Sequence, residues 1–202
     1  MMIAGIWWFL SRSSGLVATV LLVAAFVWGI MLSTQLVKPV KRAAWLLDLH
    51  RWLGGLTIFF VAVHIFSLVA DSYLDFDLAS IFLPFASEWR TTAVTWGVAG
   101  LYLLVAIQLT SWAPIRARLS RRTWRGIHFM SFPLLWVVAI HAAGTGTDVA
   151  NPLYVFAVLV LVNLAVFVVL YRILAGKGRG RKTARKSGEE TERPLRLVKR
   201  DS

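Results

Sequence analysis

The chain has 202 residues, 58% of them hydrophobic and only 16% charged, with a formal net charge of +12. The apolar residues fall in runs of about 20 or more, which read as membrane spans and exclude a soluble globular domain. Cysteine is absent. That excludes disulfides, iron–sulfur clusters, thiolate-bound zinc and covalently attached c-type haem.

The runs predict an all-α, five-helix transmembrane bundle over residues 1–174, with spans at 3–32, 43–70, 91–112, 124–143 and 152–174. The first span lacks a basic leader and a small-residue cleavage site, and it is too long for a cleavable signal peptide. Charge sets the expected orientation. The loop after the first span carries Lys38, Lys41 and Arg42. The loop after the third carries Arg116, Arg118, Arg121, Arg122 and Arg125. The other two loops are acidic, with Asp71, Asp75, Asp77 and Glu88 in one and Asp148 in the other. This alternation predicts the N-terminus outside and the C-terminus in the cytoplasm. The cationic excess is thus a topology signal, and no nucleic-acid partner is expected.

Residues 175–202 lack an apolar face and are rich in Gly, Lys, Arg and Glu, which predicts a disordered cytoplasmic tail. Gly176–Gly180 precedes no helix and follows no strand, so it does not read as a phosphate-binding loop. The tail is expected to lie against anionic lipid headgroups. A docking patch for an acidic electron donor is the alternative.

The four histidines form two pairs, each inside an apolar span. His50 and His64 have 13 residues between them, and His128 and His141 have 12. Ionisable residues within a bilayer mark functional sites, and imidazole is a standard axial ligand of haem iron. Spans two and four run in the same direction. His50 therefore faces His128 near the cytoplasmic ends, and His64 faces His141 near the outer ends. At about 1.5 Å per residue the two levels lie roughly 20 Å apart. Each cross-helix pair can grip one haem.

The angular fit differs between the helices. At about 100° per residue, fourteen steps fall some 40° short of four turns, so His50 and His64 share a face. Thirteen steps fall about 140° short, so a regular helix would turn His128 and His141 apart. Pro133 lies between them and predicts a local distortion.

Neighbouring residues suggest further roles. Gly54 and Gly55 would admit a flat macrocycle, or equally a close helix contact. Arg51 and Arg125 lie beside the inner pair, and Arg12 lies at the outer end of span one. Each is a candidate partner for a haem propionate; Arg125 could equally be a topology charge and Arg12 a residue snorkelling to headgroups. The ten tryptophans read mostly as interface residues, and Phe60 and Trp136 as packing. A non-haem metal path would need carboxylates among the helices, and Asp48 is the only acidic residue near the interior of either histidine helix. Unliganded structural histidines are the remaining reading.

The paired spacing resembles the ferric reductase-like transmembrane domain shared by ferric reductases and NADPH oxidases. His50-Arg51-Trp52-Leu53-Gly54 and Trp124-Arg125-Gly126-Ile127-His128 are similar to its bacterial members. So are Ser11-Arg12-Ser13-Ser14-Gly15 and the stretch from His141 through Gly144-Thr145-Gly146-Thr147-Asp148. The resemblance covers roughly residues 5–172. It implies two haem b groups, the inner on His50 and His128 and the outer on His64 and His141, with Arg12 beside the outer one. It further implies electron passage from a cytoplasmic-side donor to an outer-face acceptor in a bacterial cytoplasmic membrane.

The chain departs from the family in three ways. Only 28 residues follow the last span, too few for the usual flavin and nicotinamide domain, so a separate flavin or other redox partner protein is expected. Many members have six spans. Oxidase members carry a further histidine where this chain has Leu68. Other functions within reach are a quinol-oxidising cytochrome b subunit, a non-catalytic haem-binding membrane subunit, and a metal transporter.

Overall fold

Inside a bilayer, every backbone polar group must be satisfied within the protein, which leaves the helix as the solution for an isolated apolar run. The computed structural model follows this rule. It describes residues 2–34, 40–71, 76–146 and most of 151–171. The helices are α1 (Met2–Thr34), α2 (Val40–Ala70), α3 (Leu78–Phe82), α4 (Thr91–Ser111), α5 (Ala113–Arg116), α6 (Arg121–Phe129) and α7 (Ser131–Thr145). A further apolar helix, α8, covers Tyr154–Tyr171. No strand occurs among the described residues.

Five segments are long and apolar enough to cross a membrane: Gly5–Thr34, Ala44–Ala70, Thr91–Ser111, Arg121–Thr145 and Tyr154–Tyr171. They coincide with the five predicted spans. The chain is an integral membrane protein. Phe9, Trp52, Phe59, Phe66, Trp136 and Phe156 are each more than half exposed. In water such a surface would drive aggregation; against lipid tails it matches its solvent. The expected tail and the boundary at 174/175 lie outside the described residues.

Two antiparallel hairpins build the bundle. In the first, α1 packs along α2; in the second, α4 packs along α6 and α7. Loops of opposite character mark the two ends. The α5–α6 region carries Arg116, Arg118, Arg121, Arg122 and Arg125, and it is called the basic end here. At the other, acidic end Asp77 caps α3, its Oδ1 accepting the Ser80 backbone N–H at 2.7 Å. The Ser80 donors hold this carboxyl below the ordinary carboxylate range. There Arg90, in a left-handed conformation, donates to the Gly144 carbonyl and ties the start of α4 to the end of α7.

The fourth span is broken. α6 ends at Phe129, and Met130 (φ −63°, ψ −7°) joins it to α7. The cause is Pro133, which has no N–H to offer the Phe129 carbonyl and whose ring crowds that oxygen. Pro133 instead occupies the first turn of a new helix, where no donor is needed. The Met130 N–H turns to the Ile127 carbonyl at 3.0 Å, a tighter winding than the α-helix. The expected distortion is present, three residues before the proline.

The core lies midway along the bundle. Leu104, Ile107 and Leu134 are buried, with Leu22, Ile58, Val61, Leu103 and Val138 packed on them. Leu134 is 1% exposed. Thr57, 2% exposed, joins this layer with its hydroxyl donating to the Leu53 carbonyl at 2.8 Å. With lipid as solvent, packing rather than water exclusion holds helices together, so voids are felt directly. Leu134→Ala is expected to destabilise the bundle by about 2–5 kcal/mol, the usual cost of truncating a core leucine. Phe59→Ala, on the lipid face, should cost about 0.5 kcal/mol or less. Chemical unfolding in detergent micelles, followed by circular dichroism, checks both.

Candidate functional site: two facing histidine pairs

A buried imidazole carries one N–H donor and one acceptor nitrogen, and both need a partner or a purpose. The fold supplies the donor's partner from the facing helix. His50 Nδ1 lies 2.9 Å from the Ala25 carbonyl on α1, and His64 Nδ1 lies 2.7 Å from the Ser11 carbonyl on the same helix. His141 Nδ1 lies 2.9 Å from the Ala93 carbonyl on α4. A carbonyl only accepts, so these three rings carry their proton on Nδ1, and Nε2 keeps its lone pair. His128 is held differently. Its Nδ1 is 3.4 Å from the Ser111 hydroxyl, and its ring stacks on Trp124 at 5.0 Å and 22°. Trp124 in turn donates from its indole to Ser111 and carries the Arg116 guanidinium over its face.

Across the bundle the rings meet in pairs. His50 faces His128 with ring centroids 6.0 Å apart and planes at 70°. His64 faces His141 at 6.4 Å and 83°. The first pair lies toward the basic end and the second toward the acidic end. Both pairings are those the spacing predicted. The break at Met130 lets His128 and His141 reach the same side despite their shorter separation.

The two levels are separated by the core layer. Thr57 stands seven residues from both His50 and His64, and Leu134 stands six from His128 and seven from His141. Seven residues of helix span about 10 Å. Packed side chains therefore fill the space between the pairs.

A cavity of about 400 Å³ opens at the acidic-end pair. This is within the usual size of a cofactor pocket. His64, His141, Arg12, Trp8 and Leu68 are among its walls. Its floor is the layer of Thr57, Leu104 and Leu134, and Tyr154 of α8 closes one side. Arg12 lies with its guanidinium over the Trp8 ring at 4.7 Å. Leu68 contributes only an apolar wall.

The other nominated residues fall elsewhere. Arg51 pairs with Asp48 at 3.2 Å on the surface, with both side chains more than 60% exposed. A Cβ on Gly54 would meet the Gln108 amide at 2.9 Å, so this glycine serves contact between α2 and α4. Gly55 faces open space. Among the described residues, no three histidine or carboxylate side chains converge as a metal site would need. Reading by spacing also missed the partners on the helices without histidines: the carbonyls of Ser11, Ala25 and Ala93 and the hydroxyl of Ser111. At the basic-end level the Trp28 indole N–H is buried without a hydrogen-bond partner.

Comparison with known proteins gives the family. Residues 14–140 match the family described as ferric reductase like transmembrane component. The chain is 30% identical over 146 residues to the protein-methionine-sulfoxide reductase heme-binding subunit MsrQ of Rhodospirillum rubrum. That alignment covers 69% of this chain and 67% of the relative. No solved structure matches. A family match over more than half of the chain, on the span that contains three of the four histidines and ends one residue before the fourth, places this protein in the ferric reductase-like transmembrane family.

Proposed function

We propose that the protein is a di-haem b-type membrane cytochrome that relays electrons between the two faces of the bilayer. The observation that carries this is the spacing of the imidazole pairs. Two metal–nitrogen bonds of about 2 Å, plus roughly 1 Å from each ring centre to its nitrogen, put the centroids about 6 Å apart across one metal ion. The pairs stand at 6.0 and 6.4 Å. Bound haem would supply one-electron redox chemistry at each level.

The residues present fit such a group. His50 and His128 would hold the basic-end haem, and His64 and His141 the acidic-end haem. The hydrogen bonds at Nδ1 orient the rings and raise the basicity of Nε2, as a hydrogen bond to the far nitrogen of a metal-ligating histidine does. Arg12, on the wall of the acidic-end cavity, would pair with a propionate. Trp28, with its unpartnered indole N–H, would donate at the basic end. Arg51 could serve there only by releasing Asp48. With two histidines to hold each haem, the group would serve as an electron carrier and not as a substrate-binding centre. The protein's part is to hold, orient and electrostatically tune the carriers.

The basic end is proposed to face the cytoplasm, following the positive-inside bias. Electrons then enter at His50/His128 from a separate flavin or other redox protein and leave at His64/His141. The relative's name denotes a heme-binding subunit of a protein-methionine-sulfoxide reductase. A catalytic subunit of that class is therefore the first acceptor to test.

His64→Ala or His141→Ala is expected to halve the haem per chain, leaving the basic-end haem reducible by dithionite. His50→Ala or His128→Ala should remove the other half. The pyridine haemochrome assay reads this, and unchanged haem in all four variants would defeat the assignment. Arg12→Gln removes a cation that favours the electron-rich reduced state. It should lower the potential of the acidic-end haem by up to about 60 mV, a tenfold change in a one-electron equilibrium. A spectroelectrochemical titration in which neither haem shifts would remove Arg12 from that role.

A further inference from the structure

Each histidine ring rests on a small residue of the facing helix, and these residues follow a rule. A Cβ built on Gly15 would lie 3.1 Å from His64 Nδ1, and one on Gly29 would lie 3.1 Å from His50 Cε1. On Gly97 it would lie 2.6 Å from His141. Each of these glycines sits four residues after the carbonyl that holds the same ring: Ser11 and Gly15, Ala25 and Gly29, Ala93 and Gly97. In a helix the carbonyl of residue i points toward residue i+4, whose N–H it already accepts. A side chain on residue i+4 crowds a ring that reaches that oxygen as a second donor. Glycine at i+4 leaves room for the hydrogen bond.

The spacing extends the rule to the fourth ring. Gly15 and Gly29 are 14 residues apart, as are His50 and His64. On α4, 14 residues beyond Gly97 is Ser111, whose hydroxyl meets His128. The serine occupies the register of a fourth glycine and offers its own oxygen, at the last residue of α4. Leu22 and Leu104 lie at the midpoints of these two intervals, in the layer that separates the levels.

We propose that Gly15, Gly29, Gly97 and Ser111 are positioning residues that set the planes of the four imidazoles, so that each haem level is specified jointly by a histidine helix and a glycine helix. This rests on the haem-ligand reading above. Gly15 and Gly97 govern the acidic-end pair; Gly29 and Ser111 govern the basic-end pair. A methyl group at Gly97 would displace a ring fixed by its own hydrogen bond, and not the free end of a flexible chain. At Gly15 and Gly29 the ring has to give by only a few tenths of an ångström.

The test uses the full-length protein purified with its haem, comparing Gly97→Ala, Gly29→Ala, Ser111→Ala and, as a control in open space, Gly55→Ala. The readouts are haem per chain and the ferric low-spin electron paramagnetic resonance signal, which responds to the angle between axial ligand planes. Gly97→Ala is expected to lose up to half of the haem or to shift the acidic-end signal alone. Gly29→Ala and Ser111→Ala should retain haem and shift the basic-end signal alone. Gly55→Ala should match the wild type in both readouts. Wild-type signals in Gly97→Ala and Gly29→Ala would overturn the proposal. So would equal haem loss in all variants including Gly55→Ala, because that is the mark of general helix packing. A wild-type protein without haem would count against the ligand reading itself and remove the proposal with it.

Discussion

A polar ring placed among membrane helices has to satisfy its N–H inside the protein, and that demand organises this molecule. Three of the four histidines meet it with a backbone carbonyl of the facing helix, at 2.7–2.9 Å. The carbonyl is already engaged in its own helix, so the contact requires close approach of two helices, and a glycine beside each carbonyl gives the ring room. Hairpin α1–α2 and hairpin α4–α6/α7 are both built around it. With the Nδ1 proton committed, Nε2 keeps its lone pair on these three rings, and the two hairpins bring the four rings together in facing pairs.

The same requirement accounts for what lies between the levels. Gly15, Gly29, Gly97 and Ser111 stand against the rings at two heights, and larger side chains fill the interval. Leu134 and Thr57 are nearly inaccessible there. The break at Met130 serves this scheme as well, since an unbroken helix would carry His128 away from His50. The basic-end level is the looser of the two constructions. His128 relies on a hydroxyl at 3.4 Å and on stacking with Trp124, close to the arginine-rich surface. The acidic-end level has two carbonyl tethers and a cavity beside it with Arg12 in the wall.

Much of this was legible in the sequence. Spans and the distortion near Pro133 follow from hydropathy and helical angles, one helix at a time, and the pairing follows once charge alternation makes spans two and four parallel. The hydrogen-bond partners of the rings lie on other helices and leave no mark in these patterns. Gly54 and Gly55 drew attention through their nearness to His50, yet one packs on Gln108 and the other faces open space. The glycines that touch the rings stand on other helices, and their signal was a matched interval. Gly15 to Gly29 repeats the 14-residue step from His50 to His64. Antiparallel helices of equal rise preserve such an interval, so a search for matched spacings would have found them. Arg51 illustrates the opposite limit. Its place beside the inner pair in sequence did not reveal that Asp48, one turn earlier, claims its guanidinium.

Each facing pair of imidazoles is proposed to bind one haem. A redox titration of the visible spectrum of the purified wild-type protein, with haem and protein quantified on the same sample, tests it most directly. Two low-spin haems per chain, titrating as one-electron carriers with sharp α bands on reduction, are the predicted result. A protein that contains no haem, or whose haem is high-spin and so lacks a second histidine ligand, would contradict it.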